Sequence, residues 1–520
     1  MKNVNKREIF FLGVIVTGAV IVLFFMMLQK KEFKDDEYYT YALANCDTGI
    51  RGNTEKDGIV QNPTELFEYF FYADTSQLGL KNVWVNQQND VHPPLYYLIQ
   101  HMFNLITHNF GGLKSGILLN IFYHIINILL LYEILKKILC RTSLVLVGCG
   151  LYALLPAVLQ NVIFIRMYTL LSVFVFLLGL LFVRAVQSEK RTVKFYVYLG
   201  LVSIGGTLTH YYFLVYLFLS CLTWGILLIL SKKWKEIGLF AGTMCMAGGV
   251  SIMIFPPMLQ HIFSGYRGRE SFENLVSSKW GSQLLYYIKA MDDLFGGLFL
   301  GICIIMAVFF LWRGKAVHMQ AVWKNDNTWK SALILFVPCI LYFLIVSKIA
   351  VMNTERYISP IYGVGVVLLL YELKVFTDIV ENSTFQCMVF ICAVGIILNN
   401  GWQEYLWNEK NSNIEMVMEM SEKYGKENAC IHVYESSWKS LPSFSEFIYY
   451  QSITLIPETD QCGLDALELK NFDHLVCFFS NGIKEERRLE ILDNWIAENP
   501  GLSQYEELYR YQYSIAYYLE

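Results

Sequence analysis

The chain has 520 residues, of which 55% are hydrophobic and 17% are charged, and its formal net charge is −4. Soluble globular proteins carry roughly 45–50% apolar and about 25% charged residues. With a mean hydropathy of +0.39, the composition excludes a disordered chain, a collagen-like chain and an ordinary soluble enzyme. There is no basic excess for binding a nucleic-acid backbone, so no nucleic-acid partner is expected. The composition therefore predicts a polytopic α-helical membrane protein that contacts membrane lipids.

Eleven apolar stretches approach the length of about 20 residues that a membrane span requires. They lie at about 9–29, 115–135, 143–160, 167–186, 195–209, 211–230, 237–257, 290–312, 331–347, 357–373 and 386–402. A further apolar segment at 95–107 is short and is interrupted by polar residues, which predicts a helix on the membrane surface. We therefore expect a transmembrane domain over 1–402 with a large first outer loop at about 30–114.

The lysines and arginines of the short loops predict the orientation. With the N-terminus in the cytoplasm, basic residues of the inside segments outnumber those of the short outside loops by more than two to one. An odd number of spans then places residues 403–520 outside the cell membrane. In this segment short β-like runs alternate with helical stretches, which predicts a small extracytoplasmic α/β domain. The β-like runs are 430–434, 452–456, 474–479 and 511–519.

Ionisable and aromatic residues recur at the predicted outer ends of the spans, where charged groups are costly and suggest function. They are Asp35, Asp36 and Glu37; Asp90 and His92; Arg166 and Tyr168; His210, Tyr211 and Tyr212; Arg267 and Arg269; and Arg356 and Tyr357. Taken singly, the arginines could extend to lipid headgroups and the tyrosines could form an interfacial belt. Taken together, carboxylates can deprotonate a hydroxyl and arginines bind phosphate. The set predicts group transfer from a lipid phosphate at the outer membrane face.

These residues also carry a family resemblance. The run Asp90-Val91-His92-Pro93-Pro94-Leu95 resembles the DVHPPL motif of protein O-mannosyltransferases. Residues 92–97 resemble the form found in bacterial relatives grouped with the aminoarabinose lipid A transferases. Asp36-Glu37 resembles the Asp-Glu pair of the family's first outer loop. Three further patches resemble the family, at 166–168, 209–211 and 356–360. The chain is thus similar to GT-C fold glycosyltransferases of the family 39 type.

The resemblance implies a polyprenyl-phosphate-linked sugar as donor and an inverting transfer to a hydroxyl at the outer face. The acceptor would be a lipid, a wall glycan or a protein. Asp36 would be the general base, with the register open by one residue because of Asp35, and Glu37 would orient the acceptor or support the base. The remaining residues would serve the donor. Asp90 and His92 would shape its side of the site, and His210 would either contact the donor or support a residue that does. Arg166 and Arg356 would hold the phosphate, and the tyrosines would pack at the lipid–sugar boundary: Tyr168, Tyr211 and Tyr357.

The chain departs from the family pattern after the HPPL motif. Tyr96 and Tyr97 replace the Gly-Lys that commonly follows it in protein mannosyltransferases, which favours a bacterial lipid or wall-glycan transferase. Two other functions stay open: a ligase or polymerase that uses a lipid-pyrophosphate donor, and a lipid-sugar flippase or transporter, which would place its polar site near the membrane midplane. No cofactor is certain. A divalent metal could bind Asp36, Glu37, Asp90 and His92, but their spacing does not demand one.

Overall fold

The computed structural model describes most of the chain and divides it into two compact units. The described residues are 6–51, 57–139, 141–188, 190–277, 280–298, 300–301, 304, 327–380, 388, 391–392, 394–400, 414–459, 474–511 and 513–520. The first, which we call the helical unit, comprises Met1–Met27, Val91–Tyr96 and Ile117–Asn408. The second, the mixed unit, comprises Leu28–Asp90, Tyr97–Gly116 and Glu409–Glu520. Most of the predicted first outer loop thus belongs to the same unit as the C-terminal segment.

The N-terminal half of the described chain is built mainly of α-helices. They are α1 Lys6–Gln29, α2 Asp35–Asn45, α3 Pro63–Phe71, α4 Leu80–Asn89, α5 Leu95–Ile106, α6 Ser115–Leu139, α7 Thr142–Leu154, α8 Pro156–Ile163, α9 Tyr168–Gln187, α10 Val193–Thr207, α11 Tyr212–Leu230 and α12 Trp234–Ile254. The later ones are α13 Pro257–Phe263, α14 Tyr266–Val276, α15 Trp280–Leu294, α16 Asn327–Ile349, α17 Tyr362–Val380, α18 Ile414–Gly425, α19 Ser437–Ser440, α20 Phe444–Phe447 and α21 Glu485–Glu498.

Six helices of the described residues are long and apolar enough to cross a membrane, and the bent pair α7–α8 could supply a seventh. The chain is therefore a multi-pass membrane protein, but the predicted count of eleven spans is not confirmed. The predicted span 143–160 is broken by a 49° bend ahead of Pro156, a residue that ends helices because it lacks a backbone N–H. Helix α10 has only 15 residues. Much of the predicted spans 290–312 and 386–402 lies outside the described residues.

The helical unit is packed around α9, the most deeply buried of the candidate spans. Helices α10, α11 and α16 all contact it. Its apolar side chains are buried on several sides, which is typical of a central helix in a bundle rather than one that faces lipid. The residues just before α9 and the turn after α10 therefore have fixed positions relative to one another.

The mixed unit contains a six-stranded sheet in the order β1-β3-β2-β4-β6-β5. Its strands are β1 Val60–Gln61, β2 Ala429–Tyr434, β3 Ile453–Pro457, β4 Leu475–Ser480, β5 Tyr505–Arg510 and β6 Ser514–Leu519. Strands β3 and β4 pair with β2 in parallel, and the other pairings are antiparallel. One face packs on α21 through buried Ile431, Cys477 and Leu492. Because β1 comes from the first loop, that loop is joined to the C-terminal sheet by backbone hydrogen bonds.

Candidate functional site

The turn between α10 and α11 holds His210 in a fixed conformation. The backbone N–H groups of Thr209 and His210 both donate to Gly206 O at 3.1 Å. A Cβ on Gly206 would lie 2.4 Å from the Phe213 ring, so only glycine fits at this close approach. The backbone N–H of Leu95 donates to Leu208 O at 2.9 Å. The HPPL motif is thereby fixed against the turn that carries His210.

His210 is buried at the centre of a cluster of aromatic side chains. Its ring centroid lies 6.0 Å from that of His92, 5.5 Å from that of Tyr168 and 5.1 Å from that of Tyr212. Tyr212 in turn makes an edge-to-face contact with Tyr357 at 5.0 Å. Four residues selected from separate parts of the sequence, His92, Tyr168, His210 and Tyr357, thus meet in the helical unit.

The surroundings of His210 keep its imidazole neutral. Burial lowers the pKa of His210 well below its usual range, and the nearby charges of His92 and Arg166 lower it further. Its Nδ1 accepts the backbone N–H of Tyr212 at 3.0 Å. A neutral imidazole that accepts at Nδ1 carries its proton on Nε2. His210 is therefore set to donate one hydrogen bond from Nε2.

Two arginines contact Phe164, the C-cap residue that follows α8. The backbone N–H of Arg166 donates to Phe164 O at 2.9 Å, and Asn120 Nδ2 donates to the same carbonyl at 3.0 Å. The guanidinium carbon of Arg356 lies 4.7 Å from the centroid of the Phe164 ring, and its Nε donates to Thr354 Oγ1 at 2.9 Å. Arg166 itself is buried. Both arginines predicted to hold a phosphate thus contact Phe164, Arg166 through its backbone and Arg356 through its guanidinium group.

One predicted residue of this group points elsewhere. The hydroxyl of Tyr211 is 2.9 Å from His261 Nδ1, whereas its neighbour Tyr212 packs between His210 and Tyr357. The sequence pattern places Tyr212 at this outer turn, but the family resemblance predicts packing at the lipid–sugar boundary for Tyr211 instead. The position of Tyr357 is set by the hydroxyl of Tyr342, which donates to Tyr357 O at 2.8 Å.

The predicted carboxylates lie in the mixed unit, on the first turn of α2. Glu37 is completely buried, and both of its oxygens accept from Lys30 Nζ, at 2.7 and 3.0 Å. The backbone N–H of Lys34 also donates to Glu37 Oε2 at 2.8 Å. This is one half of a capping box, in which the third residue of a helix binds the N-cap amide. These hydrogen bonds hold the Glu37 side chain in place and stabilise the first turn of α2.

Asp36 differs from Glu37 in being only partly buried. Its backbone N–H donates to Asp35 Oδ1 at 2.8 Å, and its carbonyl accepts from Thr40 Oγ1 at 2.9 Å. A carboxylate in the first turn of a helix lies at the positive end of the helix dipole, which attracts negatively charged groups. Asp90, the other predicted carboxylate of this unit, is the C-cap residue that follows α4 and is also partly buried.

A separate open cleft of about 590 Å³ lies within the mixed unit. It is lined by Asn45, Asp47, Glu68, Tyr69, Tyr72, Ala73, Asp74, Thr75, Gln77, Asn82, His108 and Asn109. The lining contains three carboxylates and neither lysine nor arginine, so its chemistry suits hydroxyl or amine groups better than phosphate. Across the described ranges, no group of three or more His, Cys, Asp or Glu side chains could hold a metal ion. The structure therefore adds no support for the divalent ion considered with Asp36, Glu37, Asp90 and His92.

Comparisons with known proteins agree with this architecture. Residues 91–260 match the family model described as dolichyl-phosphate-mannose-protein mannosyltransferase. The apo crystal structure of ArnT from Cupriavidus metallidurans shares the fold, with a TM-score of 0.52 and 12% identity over 97% of each chain. ArnT bound to undecaprenyl phosphate gives 0.49 and 12% identity over 96% of this chain and 98% of that one. AglB from Archaeoglobus fulgidus, an oligosaccharyltransferase, gives 0.46 and 12% identity over 91% and 69%.

No curated protein sequence matches the chain significantly. The family model covers the segment that holds the HPPL motif and the residues from Arg166 to Tyr211, and the fold match extends over nearly the whole chain. The resemblance drawn from the motifs is confirmed at this level: residues 91–260 match a family of membrane glycosyltransferases, and the chain shares the GT-C fold of ArnT.

Proposed function

We propose that the protein transfers a sugar from a polyprenyl-phosphate donor to a hydroxyl acceptor at the extracytoplasmic membrane face, with inversion at the anomeric carbon. The observation that carries the proposal is the cluster in which His210 lies among His92, Tyr168 and Tyr212. The nearby charge of Arg166 gives this cluster a group that binds phosphate. The matched family model, named for a dolichyl-phosphate sugar, supports the same class of donor.

The arginines and His210 serve the leaving phosphate. As the bond between the anomeric carbon and the phosphate oxygen breaks, negative charge grows on the phosphate. Guanidinium groups bind phosphate oxygens with two parallel hydrogen bonds, and fixed donors stabilise developing charge best when water is excluded. The stacking of Arg356 on Phe164 limits its rotamers before the donor arrives. Nε2–H of His210 supplies a neutral donor for a sugar or phosphate oxygen.

The proposal assigns the base to Asp36. The acceptor hydroxyl gives its proton to the Asp36 carboxylate while its oxygen attacks the anomeric carbon from the side opposite the phosphate. The products are the glycosylated acceptor, polyprenyl phosphate and a protonated Asp36, which then releases its proton to solvent. Glu37, held by Lys30 and by the Lys34 amide, supports the helix turn on which Asp36 lies. This assignment places the N-terminus in the cytoplasm and the mixed unit outside.

Binding of undecaprenyl phosphate to the purified full-length protein tests the phosphate site without a known acceptor. The Arg166→Ala change is expected to weaken binding by about 10- to 100-fold, since hydrogen bonds to charged groups contribute roughly 1.5–3 kcal/mol. Arg184→Ala is the matched control, because Arg184 lies at the other end of α9 and pairs with Glu133 in an exposed ion pair. Equal binding by both variants contradicts the proposal. Much tighter binding of undecaprenyl pyrophosphate would favour the pyrophosphate-dependent ligase instead.

A further inference from the structure

The start of α2 depends on the C-terminal segment for one of its hydrogen bonds. The first backbone N–H groups of a helix have no acceptor within the helix, and here three consecutive ones are bound. Lys34 N donates to Glu37 Oε2 and Asp36 N donates to Asp35 Oδ1. The N–H between them, that of Asp35, donates to the hydroxyl of Tyr513 at 2.9 Å. The Tyr513 hydroxyl therefore caps this N–H from a distant part of the chain. In most helices, a side chain next to the helix start has this role.

Hydrogen bonds hold the described residues beside Tyr513 in place. The turn that carries Tyr513 joins β5 to β6, and the backbone N–H of Tyr511 donates to Ser514 O at 2.9 Å. Asn481 Nδ2 donates to Tyr511 O at 2.8 Å, which ties the turn to the end of β4. Burial raises the pKa of the Tyr513 phenol, and the charge of Asp35 raises it further. The hydroxyl is therefore neutral at physiological pH and keeps its place as acceptor.

Other side chains of the C-terminal segment contact the flank of α2. The rings of Tyr39 and Trp438 lie 6.0 Å apart, edge to face. Tyr38 is 2% exposed, and α2 packs on residues Leu441–Ser443 of the C-terminal segment. These contacts fix the helix laterally, whereas Tyr513 fixes its first turn. All of them lie within the mixed unit.

We infer that the C-terminal segment positions the candidate base, with Tyr513 as the positioning residue that sets the first turn of α2 and so the orientation of Asp36. The inference rests on the proposed role of Asp36. It gives the C-terminal sheet a part in the reaction beyond stabilising the first loop. Tyr513 itself contacts the backbone of Asp35 and acts only through it.

Hydrogen–deuterium exchange tests the positioning without any substrate. Tyr513→Phe keeps the ring and removes the acceptor. Amides of residues 34–37 are expected to exchange at least about tenfold faster in Tyr513→Phe, because an opening equilibrium changes tenfold for about 1.4 kcal/mol. Tyr505→Phe is the control, since Tyr505 lies on β5 and packs against Tyr517. Unchanged exchange at 34–37 in Tyr513→Phe, or an equal change in the control, overturns the inference.

Turnover separates this inference from the proposed function. With undecaprenyl-phosphate-linked labelled sugars, Tyr513→Phe is expected to lower kcat about tenfold with the donor KM unchanged, because a misplaced reactive group loses rate rather than binding. Added to Asp36→Asn, Tyr513→Phe should cause no further loss, since both changes act through one group. A further full tenfold loss overturns the positioning role. Wild-type turnover by Asp36→Asn instead contradicts the proposed function and leaves the exchange result standing.

Discussion

The buried ion pair between Lys30 and Glu37 gives a sharp prediction for the stability of the mixed unit. The two side chains are 5% and 0% exposed, and their closest atoms are 2.7 Å apart. Lys30→Met removes the ammonium and keeps a side chain of similar length. Glu37 is then left as a buried carboxylate that keeps the Lys34 amide but has lost the ammonium that binds both of its oxygens.

The expected loss follows from the burial of the pair. Removing one partner of a buried ion pair destabilises a protein by about 3–5 kcal/mol, because the remaining charge is uncompensated. For a unit of this size each kcal/mol lowers the melting temperature by roughly 2–4 °C, so a fall of about 6–20 °C is expected. Replacing both residues, with Lys30→Met and Glu37→Leu together, should recover most of this loss, apart from about 1 kcal/mol for the lost cap at Lys34.

Lys31→Met provides the matched control. Lys31 also pairs with a glutamate, Glu415, at 2.6 Å, but the two side chains are 51% and 75% exposed. An exposed pair is worth about 0–1 kcal/mol, so this variant should melt close to the wild type. The assay is thermal unfolding of the full-length protein in detergent micelles at pH 7. Melting temperatures of Lys30→Met and Lys31→Met that agree within a degree or so would refute the reasoning.

Three further predictions concern the donor cluster and the C-terminal sheet. Arg166→Lys should weaken undecaprenyl phosphate binding about tenfold, since lysine cannot donate two parallel hydrogen bonds; a titration showing wild-type affinity contradicts this. Tyr212→Ala should lower donor turnover more than Tyr211→Ala, because the ring of Tyr212 packs between His210 and Tyr357 whereas the Tyr211 hydroxyl lies at His261; the reverse order in a kinetic comparison contradicts the placement. Burial raises the pKa of Glu446 to about 7, above its unfolded value, so the stability it contributes is complete below about pH 4.5 and is lost as the pH rises through 7. This difference is on the order of 3 kcal/mol, and Glu446→Gln should flatten the melting temperature across that range; an unchanged pH profile contradicts it.

The residues proposed to bind the donor could be predicted because they are polar side chains at the ends of apolar helices. His92, Arg166, Tyr168 and His210 are conspicuous there, since charged and hydrogen-bonding groups are costly in or near a membrane. The choice between Tyr211 and Tyr212 could not be made. Successive helical residues point about 100° apart, so the side that each tyrosine faces depends on where α11 begins.

The sheet of the mixed unit was only partly predictable. Strands β2, β3, β4 and β6 overlap the predicted β-like runs, because each contains a stretch of β-branched or aromatic residues. Strand β5, with the sequence YEELYR, is rich in charged residues and shows little alternation of apolar and polar residues. Strand β1 has two residues and comes from the first loop. Neither its pairing with β3 nor the bond from Asp35 to Tyr513 leaves a local pattern, because both join residues hundreds of positions apart.

In the proposed reaction, Asp36 activates an acceptor for transfer from a polyprenyl-phosphate sugar. The most direct test is release of labelled sugar from a panel of undecaprenyl-phosphate-linked monosaccharides by the purified protein, wild type against Asp36→Asn. The wild type is expected to release sugar, and Asp36→Asn is expected to do so about 10²- to 10⁴-fold more slowly. Donor binding should be unchanged in both proteins. Equal turnover by the two proteins, or the absence of any donor binding by the wild type, would contradict the proposed reaction.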